Sequence, residues 1–280
     1  MSDTPGIRII PGRRRRRIPP LRRGVYLLPN LFTTAGLFTG FYSIIATLGH
    51  RYQLAAIMIL VAQACDVLDG RIARLTRSSS SFGEQYDSLA DLVAFGVAPG
   101  ILVYQWALVP WGRWGWLAAT LYVTCGALRL ARFNTQAANG APSNNKEFLG
   151  FPITAAAGLI ASITLFMLWW FGEREHDIGE FKWVLPPLMI FLSVMMFSRL
   201  RYPSFKAVTW RTTRSLSRFL VIAVVLLFTV LNYEWMPAVL FLAYLLYGLV
   251  RPWVSKAWQR EIEEEIGEQP PTETPVEETP

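Results

Sequence analysis

The sequence predicts an all-α membrane protein, a polytopic bundle of about eight transmembrane helices. Three observations carry that expectation. First, 52% of the 280 residues are hydrophobic and only 17% are charged, where a soluble domain usually has about 25% charged residues. Second, the charges are segregated into an N-terminal arm, short breaks and a tail, leaving apolar stretches of roughly 20 residues, the length that crosses a bilayer. Third, the basic residues fall in alternate breaks. A helix buried in a soluble protein can be apolar all round, but eight such stretches in one chain exclude an ordinary soluble domain.

The spans are expected near 26–49, 53–73, 86–108, 115–133, 151–172, 183–199, 217–232 and 236–250. The last two are short, which fits a tilted or partly interfacial pair. Their orientation follows from arginine and lysine in the short connections, which concentrate on the cytoplasmic side. The arm carries Arg13, Arg14, Arg15, Arg16, Arg17, Arg22 and Arg23. The break after span two has Arg71, Arg74 and Arg77; that after span four has Arg129, Arg132 and Lys146. The break after span six has Arg199, Arg201, Lys206, Arg211 and Arg214. The alternate breaks are poor in basic residues or acidic. One topology satisfies all of them, with both termini cytoplasmic in a multi-pass inner or cell membrane.

Four segments are expected: a basic cytoplasmic arm at 1–25, a transmembrane core at 26–210, two extra C-terminal helices at 211–255, and an acidic tail at 256–280. The tail is rich in Glu, Pro and Thr without apolar periodicity, and reads as disordered. The arm lacks the apolar run of a secretory signal. Its arginines fit an anionic leaflet at about 1 kcal/mol each, and equally a topological role; no nucleic-acid partner is expected. Cys65 and Cys125 lie in apolar stretches and read as free thiols packed as small hydrophobes. Trp106, Trp111, Trp114, Trp116, Trp169, Trp170 and Trp183 flank outer breaks and read as an aromatic belt.

Ionisable residues within spans are costly and point to function. Here Asp66-Val-Leu-Asp69-Gly70-Arg71-Ile-Ala73-Arg74 is followed by Gly83, Asp87 and Asp91. Asp66 and Asp69 are three apart and share a helix face; Asp87 and Asp91 are four apart and share another. A short connection, Leu75 to Phe82, is expected to make the two helices antiparallel neighbours. Two carboxylate pairs then face each other and repel unless neutralised. Hard divalent cations with oxygen ligands provide that neutralisation, and a two-metal site suits phosphoryl chemistry. Gly70 and Gly83 let a ligand approach the backbone, and Arg74 offers a cation for a phosphate. Interfacial ion pairs with Arg71, Arg74 and Arg77 do not explain why four acids and two glycines keep helical spacing.

The pattern Asp-x2-Asp-Gly-x2-Ala-Arg-x8-Gly-x3-Asp-x3-Asp resembles the signature of the CDP-alcohol phosphatidyltransferases, matching at Asp66, Asp69, Gly70, Ala73, Arg74, Gly83, Asp87 and Asp91. The resemblance implies displacement of CMP from a CDP-linked lipid by an alcohol. It implies Asp66, Asp69, Asp87 and Asp91 as ligands of Mg2+ or Mn2+, with Asp91 also the general base. Gly70, Arg74 and Gly83 would hold the CDP moiety. It implies a six-helix core, a homodimer and a site open to the cytoplasm.

The flanking segments Pro29-Asn30-Leu31-Phe32-Thr33, Phe95-Gly96-Val97-Ala98-Pro99, Leu128 to Asn134, Gly150-Phe151-Pro152 and Tyr202 to Lys206 resemble the phosphatidylserine synthase branch, over residues 24 to 210. Ala94 and Ala35-Gly36 depart from that branch, which often has serine and asparagine there. The implied substrates are CDP-diacylglycerol and L-serine. Arg129 and Arg132 are candidates for the serine carboxylate or a lipid phosphate, or are topological anchors. Asn30 and Thr33 are candidates for the nucleotide, or cap a helix. The rival acceptors are glycerol 3-phosphate, inositol phosphate and choline. A divalent-cation transporter is the rival class, and predicts acids spread along a pathway rather than gathered at one side. Gly36 and Gly40, and Gly96 and Gly100, are four apart and favour close helix contact, within a protomer or across a dimer.

Overall fold

A computed structural model describes residues 27–76, 81–138, 147–171, 183–198, 201–203 and 216–250. The basic arm, the acidic tail, Arg77 and Lys146 lie outside the described residues.

The architecture is a helical bundle. Helix α1 (Leu27–Leu48) and α2 (Tyr52–Thr76) form an antiparallel hairpin along most of their length. The turn between them is tight because His50 takes a left-handed conformation, φ 55°. That lets the Arg51 N–H donate to the Ala46 carbonyl at 2.8 Å and the His50 N–H to Thr47 at 2.9 Å, satisfying the carbonyls at the helix end. Deeper in, Ser43 Oγ donates to the Ala55 carbonyl at 2.8 Å, a buried bond between the two helices.

The third helix runs without a break from Ser81 to Trp111 but is not uniformly α. It comprises α3 (Ser81–Asp91), a π-helical turn at Leu92–Val97, α4 (Ala98–Val103), a second π turn at Tyr104–Leu108 and a final 3-10 turn. The wider turns show in the bonding: the Ala98 N–H donates to Val93 and the Val109 N–H to Tyr104, each five residues back. Pro99 gives a local reason. It has no N–H, so the Phe95 carbonyl four residues earlier lacks its α-helical donor. Tyr122 Oη, fully buried on α5, donates to that carbonyl at 3.1 Å.

Gly112, with φ 54°, turns the chain into α5 (Arg113–Ala138). After β1 (Glu147–Leu149) comes α6 (Ile153–Phe171), the central helix, buried along most of its length. Its Ala155, Ala156, Ala157, Gly158 and Ala161 allow neighbours to come close. It packs on α2, the first π turn and α7 (Leu185–Phe197), and α7 lies along α5. A three-residue strand β2 (Arg201–Pro203) pairs antiparallel with β1, Phe148 opposite Tyr202. This clasp is absent from the all-α expectation, whose strand signals need runs longer than three residues. The chain continues in α8 (Leu216–Leu231) and α9 (Met236–Val250).

Four helices are long and apolar enough to cross a membrane, at 30–48, 52–73, 82–111 and 153–171; α7 and α9 are shorter apolar helices. Helices α5 and α8 cover the other expected spans. Large apolar side chains such as Phe38, Phe41, Val194, Leu226 and Val230 face outward. This is an integral membrane protein. Of the tryptophans expected in an aromatic belt, Trp114, Trp116, Trp169, Trp170 and Trp183 are exposed, as a belt requires, whereas Trp106 is not. Trp106 is buried beside Tyr52, ring centroids 6.3 Å apart, because the second π turn rotates it into the bundle.

The small-residue pairs pack within the protomer. A Cβ on Gly40 would stand 2.6 Å from Ala94 Cα and Cβ, so α1 meets the first π turn backbone to backbone. Gly100 faces Val123 of α5, and Gly96 faces Leu92 and Ile153.

Candidate active site: an acidic cleft between three helices

The cleft lies where α1, α2 and the third helix converge. Asp66 and Asp69 project from the last turns of α2; Asp87 projects from α3. One carboxylate oxygen from each of Asp66, Asp69 and Asp87 lies within 4.8 Å of the others. Asp91 is the last residue of α3 before the first π turn and lines the same cleft. It sits in the electrostatic field of Asp66, Asp87 and Asp69 and of the Arg129 guanidinium on α5. Four acids so placed repel strongly at neutral pH. The oxygen-only donor set fits a hard divalent cation.

The expected pairing of α2 with the third helix needs one correction. Backbone contact between them falls mainly at Leu92–Val103, beyond the acids, while α1 packs against both α2 and α3. The acids therefore meet across a gap that α1 walls. Thr33 of α1 fills that position: it is buried, and its Oγ1 donates to Asp69 Oδ2 at 2.9 Å. Asp69 is the most enclosed of the acids, 5% exposed.

Gly70 stands beside Asp69 with open space where a Cβ would be. Among the described residues no atom lies within 4 Å of that position, so none of them requires glycine there. Gly83 lies in the first turns of α3. Arg74 lies on α2, and its side chain is outside the described residues. Asn30 sits one turn before Thr33 on α1; its carbonyl accepts from Thr34 Oγ1 at 2.7 Å, and it does not line the acidic cleft.

The two arginines of α5 differ. Arg129 is half-buried, and its Nε is shielded from solvent with no hydrogen-bond partner among the described residues. Arg132 lies over the Phe197 ring, its Cζ 4.6 Å from the centroid, and its Nη1 reaches the Phe197 carbonyl at 3.5 Å. It braces α5 against the end of α7.

Two polar links escaped the sequence reading. Tyr86 Oη and Thr34 Oγ1 are 3.0 Å apart, joining α3 to α1 next to Asp87. Asn134 Nδ2 donates to Ser88 Oγ at 3.0 Å, joining α5 to α3 on the other side. Each holds the turn that carries Asp87. Their positions directly before and after Asp87 were the available signal.

Fold and site together define a polytopic membrane protein with a carboxylate-rich centre suited to divalent cations. The sequence model of the CDP-alcohol phosphatidyltransferase family matches residues 26–198, and the chain belongs to that family. It is 36% identical over 231 residues, 82% of this chain and 92% of the relative, to a CDP-diacylglycerol–serine O-phosphatidyltransferase of Helicobacter pylori strain J99. A protein of the same name from Mycobacterium leprae is 40% identical over 163 residues, 54% of this chain and 53% of the relative. An archaetidylserine synthase of Methanothermobacter thermautotrophicus is 35% identical over 178 residues, 63% of this chain and 69% of the relative.

Proposed function

We propose that this protein transfers the phosphatidyl group of CDP-diacylglycerol to L-serine, giving phosphatidylserine and CMP. The convergence of Asp66, Asp69 and Asp87 on one point, with Asp91 in the same cleft, carries this reading. The serine enzymes among the relatives support the acceptor.

Asp66, Asp69, Asp87 and Asp91 would hold Mg2+ or Mn2+, in a two-metal site. The bound cations supply neutralisation of the diphosphate charge. The protein's own groups do the rest. Gly70 and Gly83 leave room for the CDP moiety, and Arg74 offers its phosphates a cation. Thr33 orients Asp69, and Thr33 with Asn30, one turn earlier and outside the acidic cleft, would contact the nucleotide. Asp91 accepts the proton of the serine hydroxyl. The serine oxygen then forms its bond to the lipid-proximal phosphorus, and the bridging P–O bond breaks with its electron pair leaving on CMP. Arg129 holds the serine carboxylate. Its shielded Nε, without a hydrogen-bond partner among the described residues, supports this, because a buried donor left unpaired is costly and a bound anion would satisfy it. Arg132, occupied at Phe197, is the weaker candidate for an anion.

The charge asymmetry of the connections supports a cytoplasmic site and cytoplasmic termini, and the family resemblance supports a homodimer. Residues 26–210 would form the catalytic core, with 211–255 appended.

The deciding experiment is CMP release from CDP-diacylglycerol by purified protein with Mg2+ or Mn2+, offering L-serine, glycerol 3-phosphate, inositol phosphate or choline. Release that requires serine and metal supports the proposal; release with another acceptor overturns the serine assignment. Asp91→Asn should abolish turnover while leaving CDP-lipid binding largely intact, and near-normal turnover would remove Asp91 as the base.

A further inference from the structure

Helix α1 contributes no carboxylate to the acidic cleft, yet it packs against both of the helices that do. Backbone packing of α2 on the third helix falls mainly beyond the acids, so at the acids the gap between them is bridged by α1. Two adjacent residues of α1 make the connection. Thr33 donates to Asp69 on α2 at 2.9 Å. Thr34, about 100° further around the helix, meets α3, its Oγ1 3.0 Å from the Tyr86 hydroxyl. Tyr86 directly precedes Asp87.

The direction of the Tyr86 bond follows from what Thr34 already does. Thr34 Oγ1 donates to the Asn30 carbonyl at 2.7 Å. A hydroxyl has one proton to give, so the Tyr86 O–H is the donor to Thr34. The phenol ring is held in turn: it stacks on Phe82, one turn earlier, with planes at 7° and centroids 6.1 Å apart. Past Asp91, Gly40 brings α1 against Ala94, where a Cβ would stand 2.6 Å from Ala94 Cα. Tyr86 and Ala94 therefore fasten the stretch that carries Asp87 and Asp91 to α1 at both ends. Asp66, Asp69 and Asp87, with oxygens within 4.8 Å of one another, repel. That repulsion pushes α3 away from α2, and the bond from Tyr86 to Thr34 opposes it.

We propose that Tyr86 is a positioning residue for Asp87: through Thr34 it holds α3 at the spacing from α2 at which the carboxylates take a divalent cation. The proposal rests on the metal-binding reading of the acids given above. Tyr86 touches neither the cation nor a reacting atom and acts through Asp87.

The test is Mn2+ binding to the full-length protein in detergent, without substrates, read from the electron paramagnetic resonance signal of the free ion. Tyr86→Phe keeps the ring on Phe82 and removes only the donor. It should weaken Mn2+ binding about threefold to tenfold, the range that one net hydrogen bond supplies. Thr34→Val should do the same, Thr34→Ser should restore the parent affinity, and the double variant Tyr86→Phe with Thr34→Val should bind no more weakly than either single variant. Thr39 bonds to the Ala35 and Gly36 carbonyls of its own helix, and Thr39→Val should match the parent. Losses that multiply in the double variant, or an equal loss in Thr39→Val, would overturn the proposal. A parent that binds Mn2+ beside a Tyr86→Phe variant that binds it equally well overturns the proposal alone, whereas a parent that binds no Mn2+ overturns the metal reading and the proposal with it.

Discussion

Thr33 on α1 donates a hydrogen bond of 2.9 Å to Asp69 on α2, and this bond ties the first helix to the acidic site. It occupies one oxygen lone pair of Asp69, the Gly70 backbone N–H is a second donor to the carboxylate, and the remaining lone pairs are left for a cation. A partner of this kind fixes the orientation of a metal-binding carboxylate, and its loss typically costs about 10–100-fold in metal affinity or activity. Thr33→Val should raise the Mn2+ concentration for half-maximal activity by about tenfold at the low end of that range. Thr33→Ser should restore it. A metal titration of CMP release checks both.

Gly70 separates two roles that usually coincide. A methyl group there meets no atom of the described residues, and alanine favours a helix over glycine by up to about 1 kcal/mol. Gly70→Ala should therefore keep or raise the thermal midpoint while lowering activity through a higher KM for CDP-diacylglycerol. A lowered midpoint would show that the space is needed by the protein rather than by its substrate.

Gly40 makes the opposite prediction. Alanine would place its Cβ against Ala94 Cα and Cβ at 2.6 Å, with backbone on both sides and nothing able to swing away. Overpacking of this kind costs about 1–3 kcal/mol. Gly40→Ala should lower the thermal midpoint and shift the turn that follows Asp91, reducing kcat. Adding Ala94→Gly removes one of the two 2.6 Å contacts and leaves that with the Cα, so it should recover part of both losses. Independent, additive effects would count against the close approach.

Tyr122 should prove structural. Its hydroxyl satisfies the Phe95 carbonyl, and Tyr122→Phe leaves that acceptor buried without this donor, at about 1–3 kcal/mol. The expected result is a lower thermal midpoint with both KM values unchanged. Thermal unfolding monitored beside steady-state kinetics distinguishes this from a catalytic role.

The acids were legible in the sequence because their spacing is a property of one helix at a time. Asp66 with Asp69, and Asp87 with Asp91, needed only the helical repeat to share a face. The apolar stretches were legible for the same reason, through length and composition. What lay beyond reach depends on three-dimensional juxtaposition. Thr33 reads as a cap or a nucleotide contact until α1 is seen walling the gap beside Asp69. Trp106 reads as a belt residue because it stands beside an outer break, and nearness in sequence does not tell which way its ring faces. Arg129 and Arg132 look equivalent three residues apart, yet one faces Asp91 and the other Phe197.

The π turn directly after Asp91 has a bearing on how this helix tolerates change. A turn closed five residues back holds one residue more than an α turn, so everything beyond Val97 is displaced by about 100° relative to the stripe bearing Asp87 and Asp91. The helix thus works as two rods joined by a phase shift. The rod that bears the acids is answerable to the acidic cleft, and the rod beyond it, with Ala98, Leu102 and Val103 buried, is answerable to the bundle. Substitutions mapped along it should form two stripes that do not line up, and the inner stripe can be remodelled for a bilayer of different thickness without turning the carboxylates away from their partners.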